Sequence, residues 1–306
     1  MLKSIKYPLF VFIGACSYGV IAAIIKLAYQ DGFTVGQVIT SQYFFGWFFL
    51  LLLYLLVSRK RVPLKKIGIL ILAGTSSSLT GIFYGISLQT IPASIAIVLL
   101  FQFTWIGIVL EALIDRRFPS REKIISVAVL LIGTLLASGM LGEGAQDFEV
   151  KGIVFGLLSA VTFSFFIFIS GRLGTDVPFL LKGLCMSAGA TLLLIFCYSP
   201  GFIYDGSLGE GLLKYGIMLG VLGVAIPITF FSIGSPKTGP GLATILGGAE
   251  LPAAIIVSIF VLKEQVSTLQ WLGVILILFG ISVPPLKQLM EGRGAVRKME
   301  PKKPVQ

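Results

Sequence analysis

Long apolar runs separated by short polar connections make up most of the chain. Ten runs are long enough, or nearly so, to cross a bilayer as helix, which takes about 20 apolar residues. They are residues 8–29, 35–57, 67–88, 92–114 and 124–140, then 152–170, 178–198, 212–233, 240–262 and 268–286. The first run is too long for the apolar core of a signal peptide and has no clear cleavage site, so it reads as the first membrane span. The connections are too short to hold an inserted soluble domain. From Lys287 onward the chain is polar, basic and Pro-containing, and reads as a disordered tail. The pattern therefore predicts an all-α integral membrane protein divided into residues 1–145, 146–286 and a tail 287–306.

Within residues 238–280 a carboxylate, Glu250, stands near the middle of the ninth run, two residues before Pro252. A charge at that depth costs roughly 2.5–3.5 kcal/mol on insertion scales. Something must offset that cost, or the group must be neutral. Glu250 is therefore the leading candidate for a substrate-binding and proton-coupling group. As a protonatable group its apolar surroundings disfavour the charged form, so proton and substrate can compete for it. The structural alternative is a neutral carboxyl holding the kink made by Pro252. Tyr18, Ser77, Gln102, Thr104, Trp105 and Thr162 stand at similar depth in other runs and are the companion substrate-binding candidates, with Trp47 also at that level. Against this stand local bonding of Ser and Thr to their own helix and packing of aromatics against lipid. Pro227, Pro252, Gly247 and Gly248 are the hinge candidates, which predicts that the eighth and ninth runs bend most. Lys26 and Glu111 lie toward run ends and are expected to snorkel to the interface.

Composition narrows the function. Of 306 residues 56% are hydrophobic and 12% charged, against about 25% charged in a soluble domain. There is no His, which excludes His-based triads and His metal sites. Cys16, Cys185 and Cys197 lie in apolar runs without metal-ligand spacing and read as buried hydrophobes. No cofactor or metal is expected. The net charge of +10 arises from short connections and does not point to nucleic acid. With the N-terminus inside, 20 of the 24 Lys and Arg fall on the cytoplasmic side, and Lys151, Lys214 and Lys263 on the other. Both termini are thereby predicted to be cytoplasmic.

An internal repeat adds the architecture. Shifted by 147 positions, the fourth and fifth runs fall on the ninth and tenth without a gap, pairing Ala96 with Ala243, Ile108 with Ile255, Ser120 with Ser267 and Gly133 with Gly280. Five spans per half is an odd number, so the second half enters the membrane from the opposite side. Two inverted five-helix repeats around a midplane site are the architecture of many secondary transporters. In this register Trp105 stands opposite Pro252, which predicts that the two halves do not hinge alike.

The run carrying Ala73, Gly81, Tyr84, Ser87-Leu88-Gln89 and Ile91-Pro92-Ala93-Ser94 resembles the third-to-fourth helix signature of EamA-type proteins of the drug/metabolite transporter superfamily. Ala249-Glu250-Leu251-Pro252-Ala253-Ala254, Val261-Leu262-Lys263-Glu264 and the span from Gly273 to Gly280 are similar to the second repeat of that family. The resemblance covers nearly the whole chain. It implies ten helices, inverted repeats and export or exchange of small metabolites. The combined expectation is a secondary active transporter moving a small organic metabolite, an amino acid or related compound, by alternating access, with protons as a coupled partner. It would act as monomer or homodimer in the inner (plasma) membrane of a bacterial cell. The alternatives are a facilitative channel or uniporter and, with less support, a membrane enzyme. Neither carboxylate clusters nor a phosphate-cradling loop favours the enzyme.

Overall fold

A computed structural model describes residues 2–57, 63–91, 93–137, 149–262 and 266–299. Among them every regular element is helical, as lipid demands: a spanning backbone must satisfy its own N–H and C=O groups. The first half comprises α1 (Leu2–Gln30), α2 (Val35–Val57), α3 (Leu64–Thr90), α4 (Ala93–Leu100), α5 (Phe103–Asp115) and α6 (Arg121–Ala137). The second comprises α7 (Val150–Arg172), α8 (Phe179–Tyr198), α9 (Leu213–Gly220), α10 (Ile226–Thr238), α11 (Pro240–Gly247), α12 (Glu250–Val257) and α13 (Thr268–Met299). Nine spans among the described residues are long and apolar enough to cross a membrane, and α6, with 17 described residues, is the tenth of the sequence pattern. The connection Lys263-Glu264-Gln265, Pro92 and the basic cluster Arg59-Lys60-Arg61 lie outside the described residues.

One sequence expectation is corrected. Helix α13 does not stop at Leu286 but continues to Met299; the segment after Leu286 is rich in Lys, Gln, Leu, Met, Arg and Ala, which favour helix. Although Trp105 stands opposite Pro252, the two halves break at equivalent positions. The fourth span breaks at Phe101-Gln102 and the ninth at Gly248-Ala249, positions 147 apart. The hydrogen bonds match as well. Gln102 N bonds Leu99 O and Ile106 N bonds Gln102 O, while Ala249 N bonds Leu246 O and Ala253 N bonds Ala249 O. Different chemistry makes the same break. In the ninth span Pro252 has no N–H for the carbonyl of Gly248. In the fourth, the Gln102 side-chain amide donates to Val98 O at 2.9 Å and its carbonyl accepts from Trp105 Nε1 at 2.8 Å.

The eighth span also departs from a plain helix. It joins α9 to α10 through a π turn, Val221–Ala225, directly before Pro227, where a ring without an N–H disturbs the preceding ladder.

The halves are interlocked and antiparallel. Helix α3 packs on α7 and α8, while α9 and α10 pack on α2 and α1. In α6 and α13 a Cβ on Gly133 would lie 3.0 Å from Gly273 O, and one on Gly280 would lie 3.2 Å from Ser126 O. These two contacts exchange under the 147-residue shift, as an approximate twofold axis between the helices requires. Helices α5 and α11 likewise run antiparallel, with Phe103 against Gly247, Gly107 against Thr244 and Glu111 against Gly241. Equivalent spans running in opposite directions make the repeats inverted.

Candidate functional site

The two helix breaks meet at one cavity, of about 90 Å³. Its walls come from α1, α2, α3, α4 and α12, with Phe163 of α7. On α1 the lining residues Tyr18, Ala22, Ile25 and Tyr29 recur at helical spacing, as do Ser77, Gly81, Tyr84 and Leu88 on α3. That spacing keeps each set on one face. Both sets run from mid-helix to the C-terminal end, so the cavity extends toward the face that carries the α1–α2 connection. A second, more polar pocket of about 470 Å³ lies at that face, lined by Gln37, Gln89, Tyr198 and Asp205 among others. Gln37 Nε2 donates to Asp205 Oδ2 there at 2.8 Å.

Toward the opposite face the cavity is stopped by aromatic packing. Tyr18 meets Phe163 edge-on at 5.6 Å between centroids, Phe163 meets Phe103 at 4.7 Å, and Phe166 lies 6.0 Å from both Phe163 and Phe231. Beyond this layer, ion pairs join Lys123 to Glu111, Arg172 to Asp115 and Lys66 to Asp176. Glu111 therefore does not snorkel outward. Its carboxylate is held against Gly239 and Gly241 at the start of α11, where the helix dipole also favours a negative charge.

Glu250 opens α12, next to the break, and faces the cavity. Its carboxyl makes no hydrogen bond or ion pair with another described residue. Of the lining residues it is the charged one. The close approach of α1 depends on Gly19, where a Cβ would lie 2.3 Å from Glu250 O and 2.8 Å from Ala254 N. The same cavity is lined by the rings of Tyr18, Tyr43, Tyr84, Tyr29, Phe101 and Phe163. Tyr43 Oη is fixed 2.9 Å from both the carbonyl and the hydroxyl of Ser77.

Of the sequence candidates, the fold brings Glu250, Tyr18 and Ser77 together in this cavity and leaves four elsewhere. Gln102 is occupied by the helix break. Trp105 is 40% exposed on the outer surface. Thr104 is buried with its hydroxyl on Phe101 O at 2.9 Å. Thr162 donates to its own helix, at Leu158 O or Ser159 O, accepts from Thr80 Oγ1 at 3.0 Å behind the cavity wall, and lines a shallow outer groove between α3 and α7. Trp47 packs in the separate cluster around Leu50. Gln42, Tyr43, Thr80 and Tyr84 line the cavity and were not singled out as site residues from sequence. The spacing of Ser77, Gly81, Tyr84 and Leu88 was the available signal for Tyr84. Among the described residues no three His, Cys, Asp or Glu side chains gather as metal ligands.

The EamA-like transporter family matches residues 5–139 and 150–283, one repeat in each half. The chain belongs to the EamA-like transporter family. It is 23% identical over 201 residues to an uncharacterized transporter, sll1319, of Synechocystis, covering 65% of this chain and 60% of that protein. It is 26% identical over 213 residues to the uncharacterized inner membrane transporter YicL of Salmonella typhimurium, covering 69% of this chain and 70% of that one. The match thus spans less than two thirds of the cyanobacterial relative's length. A crystal structure with 18% sequence identity superimposes at a TM-score of 0.72, over 91% of this chain and 97% of its own, and shares the fold.

Proposed function

We propose that this EamA-family chain is a secondary carrier that exports or exchanges a small organic metabolite by alternating access, with Glu250 the group for which proton and substrate compete. One observation carries the reading. Helices α5 and α11 touch through Gly107 and Thr244, where a Cβ on the glycine would lie 3.1 Å from Thr244 Cβ. The 147-residue shift maps that pair onto Ala254 and Ile97, and these residues both line the cavity. The two mates of the symmetric pair therefore differ: α5 and α11 pack on each other, whereas Ala254 and Ile97 face a common cavity. Exchanging the two arrangements closes the cavity on its present side and opens it on the opposite one, which is alternating access. The placement of Lys and Arg supports cytoplasmic termini, and the relatives support a bacterial inner membrane. On that orientation the cavity leans toward the outer face.

Proteoliposomes loaded with a metabolite mixture test the reading. A carrier gives saturable uptake together with counterflow, and a channel gives no counterflow. Glu250→Gln is expected to abolish the part of exchange driven by a pH gradient. Full exchange with unchanged pH dependence would remove the proton role from Glu250.

A further inference from the structure

We infer that the cavity selects a small organic cation, a molecule whose recognised group is a protonated or quaternary amine. The inference rests on the carrier reading and narrows it. Three features of the wall point the same way. The first is Glu250, whose carboxylate has no ion-pair or hydrogen-bond partner among the described residues and faces the cavity. The second is the absence of Lys and Arg from the lining residues. The described ion pairs of the chain, including Lys123 with Glu111 and Arg172 with Asp115, lie away from it. The third is the aromatic wall, with Tyr18, Tyr29, Tyr84 and Phe163 contributing from α1, α3 and α7.

A cation moved into such a site loses water and gains a carboxylate and several ring faces. Cation–π contacts are worth about 0.5–1 kcal/mol when exposed and about 2 or more when desolvated. An anion placed there would meet Glu250 with no compensating positive side chain among the described lining residues. A zwitterion would satisfy its ammonium group but leave its carboxylate to neutral donors, such as the hydroxyl of Tyr84 or the amide of Gln42. The wall therefore ranks a cation first, a zwitterion second and an anion last.

The experiment uses four probes with the same ring: phenethylamine, 2-phenylethanol, 3-phenylpropionate and phenylalanine. Binding of each to the purified full-length protein is measured by calorimetry, and exchange is followed in proteoliposomes. Phenethylamine is expected to bind at least tenfold more tightly than the other three. Glu250→Gln is expected to weaken it at least tenfold, and Glu250→Asp to restore part of the loss. Unchanged melting temperatures in detergent establish that the variants are folded. Equal or tighter binding of phenylpropionate or phenylalanine overturns the assignment, as does unchanged amine affinity in Glu250→Gln or failure of every probe to bind. If the amine fails while a neutral or anionic metabolite still shows counterflow, the cation assignment falls and the carrier reading stands. If no compound from the metabolite mixture exchanges, the carrier reading falls as well.

Discussion

Asp31 shows how a polar side chain at a span end is put to use. It follows α1 and accepts hydrogen bonds from Tyr215 Oη at 2.6 Å and Lys214 Nζ at 3.3 Å, tying the first span to the eighth. Those two bonds, Tyr215 first, hold its carboxyl below the usual carboxylate range. The stabilisation is fully present above the unfolded-chain value of about 3.9 and is lost as pH falls through the lowered folded value. Asp31→Asn should therefore lower the melting temperature in detergent at neutral pH, and the deficit should shrink below pH of about 4. A deficit that stays constant from neutral to acid pH contradicts the assignment. Glu250 was readable from sequence because a carboxyl in an apolar run is rare and costly. Tyr43 and Gln42 were not, because which face of α2 meets the cavity is set by its packing on α8, α9 and the π turn Val221–Ala225, far away in sequence. Thr104 and Thr162 do not line the cavity, for a related reason. A hydroxyl at midplane depth bonds its own helix as readily as a ligand, and depth alone does not distinguish the two.

At the scale of elements, the fourth and ninth spans are both broken beside the cavity, and only one break was legible. Gly247-Gly248 and Pro252 announce the break before α12. The sequence Phe101-Gln102-Phe103 contains neither Gly nor Pro, and its break depends on a Gln side chain replacing a backbone donor, which composition does not reveal. The break in the ninth span has a helix pressed close against it. Helix α1 meets the ninth span at Gly19, where a Cβ would clash with the backbone at Glu250 and Ala254. Backbone cannot yield as a flexible side chain can, so Gly19→Ala should cost about 1–3 kcal/mol. It should also push α12 away from the cavity. The expected result is a lower melting temperature together with weakened exchange. Wild-type stability and exchange in Gly19→Ala would show that α1 and α12 do not pack this closely.

At the scale of the molecule, the spans and their order were legible from hydropathy because lipid leaves helices little alternative. The inversion was legible from parity, an odd number of spans in each half. Which side is closed was not legible, since a repeat describes both arrangements equally well. The structure breaks that tie through side chains: Phe103, Phe163, Phe166 and Phe231 fill one end, and the cavity occupies the other. In a background with Cys16, Cys185 and Cys197 replaced, the Gly107→Cys/Thr244→Cys pair places two thiols where α5 and α11 touch. Their Cβ separation is slightly below the usual disulfide range of about 3.5–4.5 Å, so a bridge needs only a small adjustment. Counterflow through this double variant, measured in proteoliposomes before oxidation, after it and after reduction, tests whether these helices must part in each cycle. Exchange should fall to background once the bridge forms and return when it is reduced; undiminished exchange with the bridge intact would mean that the two repeats do not trade places.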